Sequence, residues 1–116
     1  MRIEQKVWGE RWMIREDSVH TTNILILKKG FRCSWHKHQC KYNLFVVIKG
    51  SVEIIVDEGD PCHYLTVLNE GDDFVVAPNT WHEFRVLEDG IMAEEMYVQY
   101  DDEDIERAKL GGPIDE

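Results

Sequence analysis

Proline is scarce in this 116-residue chain, cysteine equally so with three residues each, and the 13 basic residues fall well short of the 23 acidic ones. Each shortage excludes something. Cys33, Cys40 and Cys62 form an odd set with irregular spacing and no CxxC pair, which argues against a disulfide framework. A net charge of −10 leaves no basic footprint, so neither nucleic acid nor an anionic membrane surface is an expected partner. No apolar run approaches the ~18 residues of a membrane span, and the opening MRIEQKVWGERW lacks the apolar segment of a secretory signal. The expected location is cytoplasmic. No proline-rich or low-complexity stretch divides the chain, and its length holds one core. A single domain over 1–116 is therefore expected, its core at about 20–100 and an acidic tail at 101–116, where seven acids face two bases.

What is present suffices to fold: 43% of residues are hydrophobic and 10% aromatic, which excludes global disorder. The apolar residues come in short β-rich runs, at 23–28 (NILILK), 42–49 (YNLFVVIK), 51–57 (SVEIIVD), 63–68 (HYLTVL), 73–77, 81–87 and 91–100. Such runs, spaced by roughly ten residues and most of them closed by Gly, Pro, Asn or Asp, predict an all-β sandwich or barrel rather than βαβ units. Two runs are apolar on both faces. Leu44, Val46 and Ile48 alternate with Phe45 and Val47, and Ile24 and Ile26 alternate with Leu25 and Leu27. One face fills an interior and the other needs a cover, either a second protomer or an N-terminal segment folded across it; a homodimer is the expectation. In the tail, acids at 101–104 complement a helix dipole and Gly111, Gly112 and Pro113 stop it. A short C-terminal helix, or else a solvated acidic tail, is expected there.

Three of the five histidines carry a pattern: His36 and His38 in SWHKHQ, and His82 in PNTWHEF. Residues i and i+2 of a strand share a face, so His36 and His38 point the same way. Two imidazoles on one face are half of a metal site, which a third from another strand completes. An HxH pair alone is also common on polar strands, so the surroundings decide.

Those surroundings read Gly30-x5-His36-x-His38-x4-Asn43-x6-Gly50, then Gly71-x5-Ala77-x-Asn79-x2-His82. The spacings resemble the paired signatures of the cupin superfamily, G-x5-H-x-H-x3–4-E-x6-G and G-x5-P-x-G-x2-H, over about residues 24–87. The resemblance implies an all-β fold, a double-stranded β-helix (jelly-roll) barrel with a divalent metal in its lumen (Zn, Fe, Mn or Ni). By carry-over its ligands are His36, His38 and His82, with Asn43 in the fourth position. Asn43 departs from the pattern, which has glutamate there: an amide oxygen is a neutral, weaker donor. Either the metal keeps its full charge and favours an anionic ligand, or the chain is a metal-free descendant. Gln39, Cys40 and Tyr42 are nearby substitutes. Gly30, Gly50 and Gly71 are expected at tight turns, and Asn79, the non-glycine residue best suited to the left-handed region, replaces the second motif's glycine.

The period of two assigns further residues. Phe84 and Val86 share the lumen side with His82, Glu83 and Arg85 face outward, and Asn43, Phe45 and Val47 form one set. Trp35 and Trp81 point away from the histidines. Arg32, Lys37 and Lys41 are either surface cations or an anion-capturing cluster at the barrel mouth. Tyr64, Glu94 and Glu95 are candidate acid/base groups among which spacing does not choose; His20 and His63 read as surface. At the ends, Val7-Trp8-Gly9 and Asp104-Ile105-Glu106-Arg107 are similar to the PWG opening and arginine-containing tail of type II phosphomannose isomerase-like cupins. That similarity implies sugar-phosphate or nucleotide-sugar chemistry. Three functions follow as expectations: a metal-dependent isomerase or lyase acting on a small sugar-derived or anionic substrate, with a carboxylate or tyrosine moving the proton; a three-histidine iron dioxygenase; or a non-catalytic barrel that binds a sugar or other small molecule.

Overall fold

The computed structural model describes residues 1–57, 63–98 and 103–115, and these are strands, turns and short connections without a helix. Eleven strands run in chain order: β1 (Arg2–Lys6), β2 (Gly9–Glu16), β3 (His20–Leu27), β4 (Phe31–Arg32), β5 (Trp35–Lys37), β6 (Lys41–Asp57), β7 (His63–Leu68), β8 (Asp73–Val76), β9 (Trp81–Val98), β10 (Glu106–Lys109) and β11 (Gly112–Pro113). The organising feature is the antiparallel ribbon of β6 and β9. Its first half pairs residues 41–49 of β6 with the far half of β9, and its second pairs residues 51–57 with the near half. One sheet therefore runs β1-β2-β3-β9-β6-β8 and the other β7-β6-β9 with β4 and β5 beyond. Together they make the jelly-roll barrel.

Glycine bends these strands where the sequence pattern had them end. Residues 42–49 and 51–57 are one 17-residue strand, and 81–87 joins the following run into one of 18. Gly50 sits in the ribbon at φ +88°, facing Gly90 across a stretch of shifted register. A Cβ on Gly50 would lie 2.5 Å from the Asp89 carbonyl oxygen, so only glycine lets the ribbon turn the corner from one sheet to the other.

The core is the inward set. Leu25, Leu27, Phe45, Val47, Val52, Ile54, Phe84, Val86 and Met92 are all buried, as strand alternation requires. The N-terminal residues form a hairpin on the edge of β3, and its two-residue turn drops Trp8 into the barrel, edge-on to Phe84 at 5.1 Å. This hairpin lengthens the sheet edge-on. The outer positions Ile24, Ile26, Leu44 and Val46 stay half-buried, and Ile48 is 47% exposed.

The tail corrects the helical expectation. Residues 101 and 102 and Cys62 lie outside the described residues, but the chain is extended over Glu106–Lys109 and Gly112–Pro113: β10 pairs with β5 and β11 with β4. Arg32, buried, donates to the Leu110 carbonyl (2.8 Å). The short strands β4 and β5 offer open edges that need partners, and that tertiary demand outweighs the helix signal of a few acids.

Candidate metal centre

His36 on β5 stands directly opposite His82 on β9, and His38 follows β5 by one residue. The turn before His82 is held by the Asn79 amide, which donates to the His38 carbonyl (2.6 Å). Asn79 has φ +59°, the left-handed conformation expected of the residue in the second motif's glycine position. The three imidazoles converge. Their centroids are 4.4 to 5.5 Å apart, and one ring nitrogen of each lies within 4.8 Å of the others. Small ring rotations bring such a triangle onto bonds of about 2 Å to a single ion.

Each ring is oriented by an acceptor that can only accept. Nδ1 of His36 lies 2.7 Å from the Ser34 carbonyl oxygen, that of His38 2.8 Å from the Asp104 carbonyl, and that of His82 2.9 Å from the Thr80 carbonyl. Nδ1 must carry the hydrogen in all three, leaving Nε2 with its lone pair. The buried Nε2 of His82 has no hydrogen-bond partner, an orphan that a metal ion would satisfy. Burial, then the neighbouring His82 and His38, holds His36 well below the ordinary histidine range; burial likewise pushes His38 down to about 3 and His82 to about 4. Neutral imidazoles are the ligand form.

Asn43 is buried in the lumen with Phe45 and Val47, and its amide is turned toward a carboxylate. Its Nδ2 donates to Glu94 Oε2 at 2.7 Å, while Asn23 donates to Glu94 Oε1 at 2.9 Å. Glu94 is only 8% exposed. The Oδ1 atoms of both asparagines are buried without partners. Among the described residues, the three histidines form the metal-competent group, with no carboxylate in it. The lumen thus holds a carboxylate beside a neutral residue at the position where the motif has glutamate.

The structure separates the acid/base candidates. Glu94 lines the cavity with His36 and His38. Glu95 faces outward against His20 and Thr22, and Tyr64 is half-exposed, stacked on Phe74. Gln39 and Cys40 are exposed, and Tyr42 stacks on Tyr97. Trp35 and Trp81 stack on each other at 6.4 Å, on the strand face opposite the histidines. Glu83 and Arg85 pair with each other (2.8 Å), although Glu83 is buried nonetheless. His63 is exposed and His20 partly so.

Arg32 and Lys41 are buried, and Lys37 pairs with Glu106 (3.6 Å) over the Trp81 ring. The cations lining the cavity are instead Lys6, Arg11 and Arg107. Sequence reasoning missed Lys6 and Arg11, which lie on the N-terminal hairpin, and noted Arg107 only as part of the tail's resemblance, without placing it at the site. Asn23 was missed as well, although a signal was there: it is in phase with Leu25 and Leu27, a polar residue on an apolar face. The cavity measures about 200 Å³, below the 300–1,000 Å³ of drug-sized sites, and so suits a small ligand.

Solved structures share this architecture. KdgF from Halomonas sp. is 17% identical, with a TM-score of 0.74 over 88% of this chain and 92% of its own. Oxalate decarboxylase from Bacillus subtilis, described elsewhere with Mn(II) centres, is 16% identical with a TM-score of 0.78 over 92% of this chain. The capsular polysaccharide assembling protein CapF from Staphylococcus aureus is 18% identical, with a TM-score of 0.76 over 94%. This chain spans only 30% and 34% of the last two. At such identities the likeness speaks for the fold. No curated protein sequence matches. A family model described as a cupin domain matches residues 23–103, and that match, with the barrel and both histidine motifs in register, makes the chain a member of the cupin family.

Proposed function

We propose that this cupin is a metal-dependent enzyme of isomerase or lyase type, acting on a small sugar-derived or otherwise anionic substrate in the barrel lumen. His36, His38 and His82 hold the ion, and Asn43 Oδ1 is the fourth donor. Bound there, a divalent ion would supply Lewis-acid chemistry toward an oxygen of the substrate. The observation that carries the reading is Glu94, a carboxylate outside the histidine group yet lining the same cavity. Asn23 and Asn43 fix both of its oxygens, which holds it in one place to take a proton from a substrate carbon or return one. Phe84, Leu25 and Trp8 give the cavity an apolar wall beside Glu94.

Two measurements test this. Metal analysis after mild purification should find stoichiometric metal, lost when His36→Ala is combined with His82→Ala. Hydroxy acids, keto acids and aldoses incubated in D2O should exchange a carbon-bound proton with the wild type and not with Glu94→Gln. Metal without any exchange leaves the non-catalytic barrel. A dioxygenase is the second reading, favoured by a ligand group of neutral imidazoles alone; iron together with oxygen consumption would select it.

The outer face supports a homodimer. Ile24, Ala93 and Val46 stand in line across β3, β9 and β6, and Leu44 opposes Val75, itself 46% exposed. A second copy covers this stripe, and sedimentation should give twice the 13.7 kDa chain mass.

A further inference from the structure

The cavity lined by His36 and His38 is cationic in a strongly acidic protein. Lys6, Arg11 and Arg107 line it, and among lining residues only Glu94 opposes them. Two of these cations share one anion: Arg11 Nη1 lies 3.2 Å and Lys6 Nζ 3.8 Å from the same oxygen of Glu4. Arg107 differs. It is exposed on β10, and its guanidinium makes no hydrogen bond or ion pair with any described residue, although its backbone pairs with β5. This is notable because Glu103, Asp104 and Glu106 lie within four residues of it. In the antiparallel pairing of β10 with β5, Arg107 stands directly opposite His36, so both side chains project from the same face of the sheet.

We propose that Arg107 is the carboxylate anchor of the site, and that the ligand is a small hydroxy- or keto-carboxylate of the sugar-acid class. This rests on the metal-dependent reading and deepens it. The ligand's carboxylate takes the bidentate fork of the guanidinium at the mouth, and its second oxygen function reaches the histidine centre. Polarity along the cavity sets the direction. Glu94, clamped at the buried end, repels a carboxylate, while Arg107 at the exposed end attracts one. One guanidinium without a partner among the described residues balances one carboxylate; a phosphate dianion would call for a second. The strap formed by the tail is thus part of the site twice over, through Arg107 toward the ligand and through the Asp104 carbonyl toward His38.

The test is calorimetry on the full chain loaded with Mn(II), using matched probes: glucuronate against glucose, glycerate against glycerol, and glycerol 3-phosphate as the phosphate arm. The wild type should bind at least one acid at least tenfold more tightly than its uncharged counterpart and than glycerol 3-phosphate. Arg107→Gln should abolish that preference with metal content unchanged, and Arg107→Lys should restore only part of it, because an ammonium lacks the fork. Acid binding that survives Arg107→Gln, equal binding of acid and alcohol, no binding of either acid, or a preference for glycerol 3-phosphate each overturns the proposal. A wild type that takes up no Mn(II) while Arg107→Gln still removes acid binding sinks the metal reading and leaves the anchor standing.

Discussion

Replacing Asn43 with aspartate restores an acid near the motif's glutamate position and sets it against Glu94. Asn43→Asp removes a hydrogen bond of 2.7 Å to a buried carboxylate, a loss of about 1.5–3 kcal/mol. It also brings two carboxylates face to face, which at about 4 Å and an effective dielectric near 20 costs about 4 kcal/mol. The sum has a ceiling, because the pair can instead take up a proton. At pH 7, protonating a carboxyl of ordinary pKa near 4 costs about 4 kcal/mol. The metal-free protein, treated with chelator, should therefore lose about 3–4 kcal/mol at pH 7, or roughly 10–15 °C in Tm for a domain of this size. The sign with pH follows. A pair that holds a proton more tightly than the unfolded chain is stabilised as pH falls, so the deficit should shrink to about 1–2 kcal/mol at pH 5. Combining the change with Glu94→Gln places an amide donor opposite the new carboxylate and leaves an oxygen for Asn23, and should recover most of the loss. Urea denaturation of the four proteins in a double-mutant cycle reads all of this. A single variant within 1 kcal/mol of wild type at pH 7, or a double variant no better than the single, would refute the clamp.

Two other substitutions probe the scaffold. Gly50→Ala puts a Cβ against the Asp89 carbonyl at a positive φ and should cost about 1–3 kcal/mol by denaturation, with metal content unchanged in the folded fraction. Asp104→Ala removes the carboxylate that accepts from the Gln39 and Cys40 amides at 2.8 and 3.0 Å; although partial burial opposes its ionisation, those amides hold the Asp104 carboxyl below its ordinary range. The strap should loosen and, since the same residue's carbonyl orients His38, Zn(II) affinity measured by competition with a chromophoric chelator should fall about 10–100-fold.

An all-β architecture and the shared face of His36 and His38 could be read from the sequence because both are written in local periods. The jelly-roll barrel and His82 as third ligand came instead from the resemblance to the cupin signatures. Alternation in NILILK and LFVVI fixes which side chains share a face, whatever the strands later pair with, and an HxH pair shares a face by the same geometry. Asn79 followed from the steric tolerance of its own backbone. What the sequence could not disclose depends on pairing between distant segments. The acids at 101–104 carry a real helix signal, yet the open edges of β4 and β5 pull the tail into extended strands, and only that pairing sets Arg107 opposite His36. Gly50 looked like a strand end because a local pattern cannot distinguish a bend from a break. The choice of Glu94 over Glu95 and Tyr64 likewise required register: Asn23 and Asn43 reach its oxygens because β3 and β6 flank β9. Local stereochemistry decided which residues share a face; long-range hydrogen bonding decided which face turns inward and which residues meet.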